Sequence, residues 1–233
     1  MNIQNKKRIW ELDFFRGIAL IFMVYFHVIY DLKEFYDYPV SYASGINFYI
    51  GKASALLFML ISGISCTLSN SNIKRALKVL GAALAITLAT HLYNPDYGVK
   101  FGILHFLGIS MLLYPLFSKI NKYLLIIFGT IVILLGNLFA KVPVTADYLF
   151  PLGLTTGSFI SSDYYPLIPW LGVFLYGIAI GKLLYTNKQS LFTFSLEDNI
   201  ISKVGRKTLL LYLVHQPFII AVLALLNYLI SWF

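Results

Sequence analysis

Three residues near the start of the chain combine the types and spacing that a group-transfer site needs. Arg16 and His27 lie in the apolar stretch Phe14 to Tyr30, and Asp31 follows it. The step from Arg16 to His27 advances ~16 Å along an α-helix and makes about three turns, so the two share a face at different depths. Asp31 continues that face one turn further on. A cation at the centre of a span costs roughly 3 kcal/mol or more, so such residues need a reason to be there. A neutral imidazole can take a proton from an attacking hydroxyl or amine, and a carboxylate at i+4 can orient the ring and stabilise the imidazolium. His27 and Asp31 are therefore the candidate catalytic pair. A guanidinium grips phosphate through two parallel hydrogen bonds, which makes Arg16 a candidate anion clamp. Lys6, Lys7 and Arg8 add positive potential beside it, and Asp13 is spaced to hold it. The competing uses are a helix–helix hydrogen bond for His27 and snorkelling to headgroups for Arg16.

Other polar residues fall at comparable depths. His105 follows Lys100 and Phe101, His91 ends an apolar run, and Asp163 and Tyr164 precede another. With His27 they are expected to line one outward-facing pocket, with His91 the more interfacial of the set. His215, followed by Gln216 and Pro217, lies ~12 Å into the last apolar run. It either packs against another helix where Pro217 loosens the backbone or lines a passage between the two sides. No zinc signature of the His-Glu-x-x-His kind is present, and no metal is expected. The lone Cys66 reads as packing.

The elements that must position these residues follow from composition. The chain has 233 residues, of which 59% are hydrophobic and 12% charged, and its mean hydropathy is +0.77. These values place it among integral membrane proteins. Seven apolar runs are read as spans, at approximately 12–31, 46–69, 73–93, 102–118, 123–140, 165–185 and 207–230. Their length and lack of strict alternation point to helices rather than a barrel. The expected fold is an all-α, polytopic transmembrane helical bundle forming one domain over 1–233, with 32–45, 141–164 and 186–206 as its longest loops.

The net charge of +8 does not indicate nucleic acid, because the cations are sorted by loop. Lys6, Lys7, Arg8, Lys74, Arg75, Lys78, Lys119, Lys122, Lys182, Lys188, Lys203, Arg206 and Lys207 fall on one side of the seven-span arrangement. Only Lys33, Lys52, Lys100 and Lys141 fall on the other. That bias places the N-terminus in the cytoplasm and the C-terminus outside. The first apolar run, long and interrupted by Arg16 and His27, is expected to be retained rather than cleaved.

Several motifs, taken in order, resemble a known family. The segment Glu11-Leu-Asp-Phe-Phe-Arg16-Gly-Ile-Ala-Leu-Ile-Phe-Met-Val-Tyr-Phe-His27 is similar to the opening of bacterial membrane proteins grouped with the heparan-α-glucosaminide N-acetyltransferase catalytic domain. Phe101-Gly-Ile-Leu-His105, Asp163-Tyr-Tyr-Pro-Leu-Ile-Pro-Trp170 and Tyr212-Leu-Val-His-Gln-Pro217 resemble its later motifs. The Arg-to-His spacing and Phe58-Met-Leu-Ile-Ser-Gly63 are also similar to the wider membrane acyltransferase-3 proteins. The resemblance implies transfer of an acyl group, usually acetyl, from cytoplasmic acyl-CoA to an extracytoplasmic carbohydrate. On that basis Arg16 and His215 are assigned to the acetyl-CoA donor, His27 and Asp31 to proton transfer, and His105, Asp163 and Tyr164 to the acceptor. Direct transfer and an acyl-histidine intermediate both stay open.

The rival class is a transporter or flippase, which would move substrate without consuming CoA. The absence of a visible inverted repeat counts against it. A structural subunit would lose stability rather than turnover on His27→Ala. The expected setting is a lipid bilayer, the plasma membrane of a prokaryote, with a homo-oligomer left open.

Overall fold

A computed structural model describes residues 8–232. It contains eight α-helices among the described residues: α1 Trp10–Glu34, α2 Gly45–Leu68, α3 Asn72–Tyr93, α4 Ile103–Ser118, α5 Lys122–Phe139, α6 Leu167–Leu184, α7 Ile200–Arg206 and α8 Thr208–Ile230. Short 3-10 turns occupy Pro95–Tyr97 and Asp147–Leu152. No strand is formed among these residues, only an isolated bridge between Phe101 and Tyr164. Six helices are long and apolar enough to cross a membrane, and the shorter apolar α4 adds a seventh candidate. The chain is thus an all-α, polytopic membrane bundle of about seven spans, as its apolar runs predict. The difference lies in the loop expected over 186–206, where α7 adds a helix of 7 residues. A run that short leaves no periodic apolar signature to read.

Two compact units divide the chain. The first runs through Phe58 and resumes at Phe192; the second is Met59–Leu191. In the first unit α1 packs against α7 and α8. Its closest approach is at Gly17 and Gly205. A Cβ on Gly17 would strike the Ile201 carbonyl, and one on Gly205 would strike the Asp13 carbonyl. Only glycine lets the two backbones come this near, as at small-residue crossings in membranes generally. Asn199 caps α7 by accepting from the Ile201 N–H at 2.8 Å. On the other side of α1, Ser54 of α2 donates to the Ala19 carbonyl.

The second unit holds α3 to α6 and the latter part of α2. Gly63 of α2 and Gly177 of α6 repeat the close backbone crossing, each facing the other helix's main chain. Phe106, Phe174, Met59, Leu175 and Ile178 fill its interior. Lys182 of α6 donates to the Ser118 and Ile120 carbonyls, both at 2.6 Å, and so closes the C-terminal end of α4. The apolar residues left exposed on α3, α5 and α8 suit a lipid surround.

Candidate functional site

The first turns of α1 carry Asp13, whose side chain is 2% exposed and surrounded by arginines. Arg8 Nε donates to Asp13 Oδ2 at 2.5 Å, and Arg16 Nη1 donates to Asp13 Oδ1 at 2.7 Å. Arg206, at the end of α7, places Nε 3.9 Å from Asp13 Oδ2. The Gly17 and Gly205 crossings allow this by bringing the last turn of α7 onto the first turns of α1. Arg206 Nη2 also donates to the Glu197 carbonyl, which fixes the guanidinium plane. Even with the neighbouring buried Glu11, cations outnumber carboxylates here. Arg8, Arg16 and Arg206 keep 56%, 24% and 31% of their side chains exposed, so the cluster presents positive charge at an accessible surface where an anion can meet it. Beside them Trp10 packs among Phe192 and Phe194 and donates its indole N–H to the Phe194 carbonyl. Lys6 and Lys7 lie outside the described residues.

Three turns along α1, His27 meets His215 of α8. Their ring centroids are 4.7 Å apart with planes at 77°. His27 Nδ1 bonds the Met23 carbonyl at 2.9 Å, and His215 Nδ1 bonds the Tyr212 carbonyl at 2.5 Å. A carbonyl only accepts, so both rings carry their proton on Nδ1 and both Nε2 atoms present a lone pair. His215 Nε2 is buried and has no hydrogen-bond partner among the described residues. Asp31 is fully buried, and its Oδ1 accepts from Gln216 Nε2 at 2.7 Å. Asp31 Oδ2 and Gln216 Oε1 have no partner among the described residues.

The carboxylate–imidazole hydrogen bond expected between Asp31 and His27 is therefore not the one formed. Helical side chains lean toward the N-terminus, which takes the His27 ring to Met23 at i−4 and leaves Asp31 to reach across to α8. Gln216, absent from the candidate residues, is the partner that sequence spacing could not supply. Arg206 was likewise legible only as one of the cations sorted to one side of the spans.

In the second unit, His105, Asp163 and Tyr164 come together around the start of α4. His105 Nδ1 accepts from the Gly102 N–H at 3.3 Å, and Nε2 lies 3.2 Å from Thr87 Oγ1. Thr87 gives its own proton to the Val99 carbonyl, so Nε2 of His105 is the donor and both its nitrogens are committed. Asp163 Oδ2 accepts from the Ile103 N–H at 2.9 Å, at the positive end of α4. Burial nevertheless pushes the Asp163 carboxyl up to about 6 against that hydrogen bond. Tyr164 donates its hydroxyl to the Phe150 carbonyl at 2.7 Å, and burial pushes its phenol up to about 12. The three expected acceptor residues thus each have a local partner. His91 is exposed at the end of α3, and Cys66 is buried. Among the described residues, no group of three His, Cys, Asp or Glu side chains could hold a metal ion.

The model of one protein family, described as heparan-alpha-glucosaminide N-acetyltransferase, catalytic, matches residues 8–217. Comparison with curated proteins and with solved structures gave no match. The family match takes in the arginine cluster, both facing histidines and the Asp163 segment. The chain belongs to the heparan-alpha-glucosaminide N-acetyltransferase catalytic-domain family.

Proposed function

We propose that the chain forms one transmembrane domain that moves an acetyl group from cytoplasmic acetyl-CoA to an amine or hydroxyl of an extracytoplasmic sugar or glycan. The observation that carries this reading is the pairing, on α1, of an arginine cluster at one end with a histidine at the other whose proton is fixed on Nδ1. The ~16 Å rise between Arg16 and His27 suits a donor with a phosphate-bearing head and a slender pantetheine arm. Arg8, Arg16 and Arg206 fit the phosphates, because their shared carboxylate orients them without neutralising them.

In the transfer step the acceptor oxygen or nitrogen forms a bond to the thioester carbonyl carbon, and the carbon–sulfur bond breaks. His27 Nε2 takes the acceptor proton, and CoA leaves as the thiolate. Asp31, held by Gln216, supplies the opposite charge near the imidazolium. His215 stands beside His27 on the donor's route. Asp163 and Tyr164 contact the acceptor, with Asp163 Oδ1 accepting its hydrogen bond, and His105 holds that segment in place.

The test is transfer of labelled acetyl from acetyl-CoA to a panel of sugars and envelope glycans, with purified protein in liposomes. The parent should transfer label to at least one acceptor. A folded His27→Ala variant should lose at least ~100-fold in kcat, the lower part of what a general base supplies. Acetyl-CoA neither bound nor consumed by folded parent protein would overturn the reading. Movement of an intact glycan without CoA release would replace it with a flippase.

A further inference from the structure

Two half-buried imidazoles in contact would ordinarily share a hydrogen bond, yet none is formed between His27 and His215 among the described residues. Their protonation explains this. Each Nδ1–H is spent on a backbone carbonyl of its own helix, at Met23 and at Tyr212, so the contact at 4.7 Å between centroids brings together two neutral rings with no N–H left to give each other. His215 Nε2, buried and without a hydrogen-bond partner among the described residues, is a group of the kind that native interiors rarely leave unsatisfied. One added proton resolves the mismatch. It would sit on one Nε2 and be accepted by the other, forming the bond that the neutral pair cannot make.

We propose that His27 and His215 form a one-proton store in which His215 is the positioning residue that receives the proton-bearing Nε2 of His27 during transfer. This rests on His27 being the base. The proton leaves the acceptor's O–H or N–H bond for His27 Nε2, is shared with His215 Nε2 while the carbon–sulfur bond breaks, and passes afterwards to the departing thiolate. The surroundings are consistent with a charge held at this point. On α1, Asp31 lies one turn from His27 and keeps Oδ2 without a partner, while α8 presents Gln216 to Asp31 and the Tyr212 ring 5.3 Å from His215. From α2, Gly51 packs on Phe26 and is followed by Lys52, the one charged residue of that helix. Asp31 thus supplies the one carboxylate among these groups. Neutral packing alone would leave His215 Nε2 a permanent cost, since a buried acceptor without a donor has lost its hydrogen bond to water and gained none in exchange.

The first arm of the test uses the parent protein in nanodiscs with isotope-labelled histidine nitrogens. As pH is lowered, a scalar coupling through a hydrogen bond should appear between His27 Nε2 and His215 Nε2, and it should be missing from His27→Ala. No coupling at any pH at which the protein stays folded would overturn the proposal. The second arm is kinetic. His215→Phe, which keeps a ring but removes the acceptor, should lower kcat ~10-fold or more while KM for acetyl-CoA changes less than about twofold. His215→Gln, which returns an oxygen acceptor near the Nε2 position, should recover part of that loss. Equal kcat in His215→Phe and parent, or equal loss in Phe and Gln variants, would also overturn it. Coupling present in a protein that transfers no acetyl would remove the acetyltransferase reading and leave the pair standing. Transfer dependent on His27 without coupling would do the reverse.

Discussion

Asp13 is almost wholly buried, yet it serves side chains that are not. Its two oxygens hold Arg8 and Arg16 directly and Arg206 more loosely, so replacing it with asparagine should disorganise the cluster without deleting a cation. Asp13→Asn should raise KM for acetyl-CoA several-fold with little change in kcat, the signature of lost ground-state and transition-state binding alike. Its stability cost should be about 1–3 kcal/mol, below the ~3–5 kcal/mol of a fully buried pair, because Arg8 remains largely in water. A second prediction concerns Asp163, which lies outside the membrane-spanning helices. Its carboxyl rises from 3.8 to about 6 on folding. The folded state therefore binds this proton more tightly than the unfolded chain. The associated stability is fully present below pH ~3.8 and is lost as pH rises through about 6. Asp163→Asn keeps an oxygen for the Ile103 N–H. It should flatten the fall in unfolding midpoint between pH 4 and 7, removing a contribution of order 1–3 kcal/mol. At this scale the sequence was informative where partners are local. Asp13 and Arg16 are three residues apart and met as expected, whereas the links of Asp13 to Arg206 and of Asp31 to Gln216 join opposite ends of the chain.

Among the elements, α7 matters out of proportion to its 7 residues. It carries Arg206 to the start of α1 through the glycine crossing, and that crossing gives a direct test. Gly205→Ala would push a methyl into the Asp13 carbonyl, forcing α7 away at a cost of about 1–3 kcal/mol. Acetyl-CoA affinity should fall with it, as measured by equilibrium binding, while His27-dependent chemistry at saturating donor should stay near the parent rate. Unchanged affinity would separate Arg206 from the donor. The spans themselves were legible because apolar length is nearly all a membrane helix needs. The run read over 102–118 is α4 at Ile103–Ser118, and that over 165–185 is α6 at Leu167–Leu184. What the runs could not reveal is how α4 begins. Its first turn is closed by His105 from within and by Asp163 from 60 residues away.

For the whole molecule, the loop charges predict a cytoplasmic N-terminus and an outside C-terminus. Tags at the N-terminus should be reached only from the cytoplasm, and a cysteine placed at Trp232 in a Cys66→Ser background should react with an impermeant thiol reagent from outside. The opposite pattern would put the arginine cluster on the wrong side for a cytoplasmic donor. The family match spans residues 8–217 and so takes in residues of both compact units.

That division has a consequence for synthesis. In chain order α1 precedes α7 and α8, the helices of its own unit that pack on it, so α1 enters the bilayer well before they exist to cover it. Throughout that interval His27 and Asp31 lack His215 and Gln216, and Arg16 has Asp13 without the neighbouring Arg206. A nascent chain stalled before α8 therefore displays bare polar groups within the bilayer, a mark by which membrane quality control can tell an unfinished copy from a finished one.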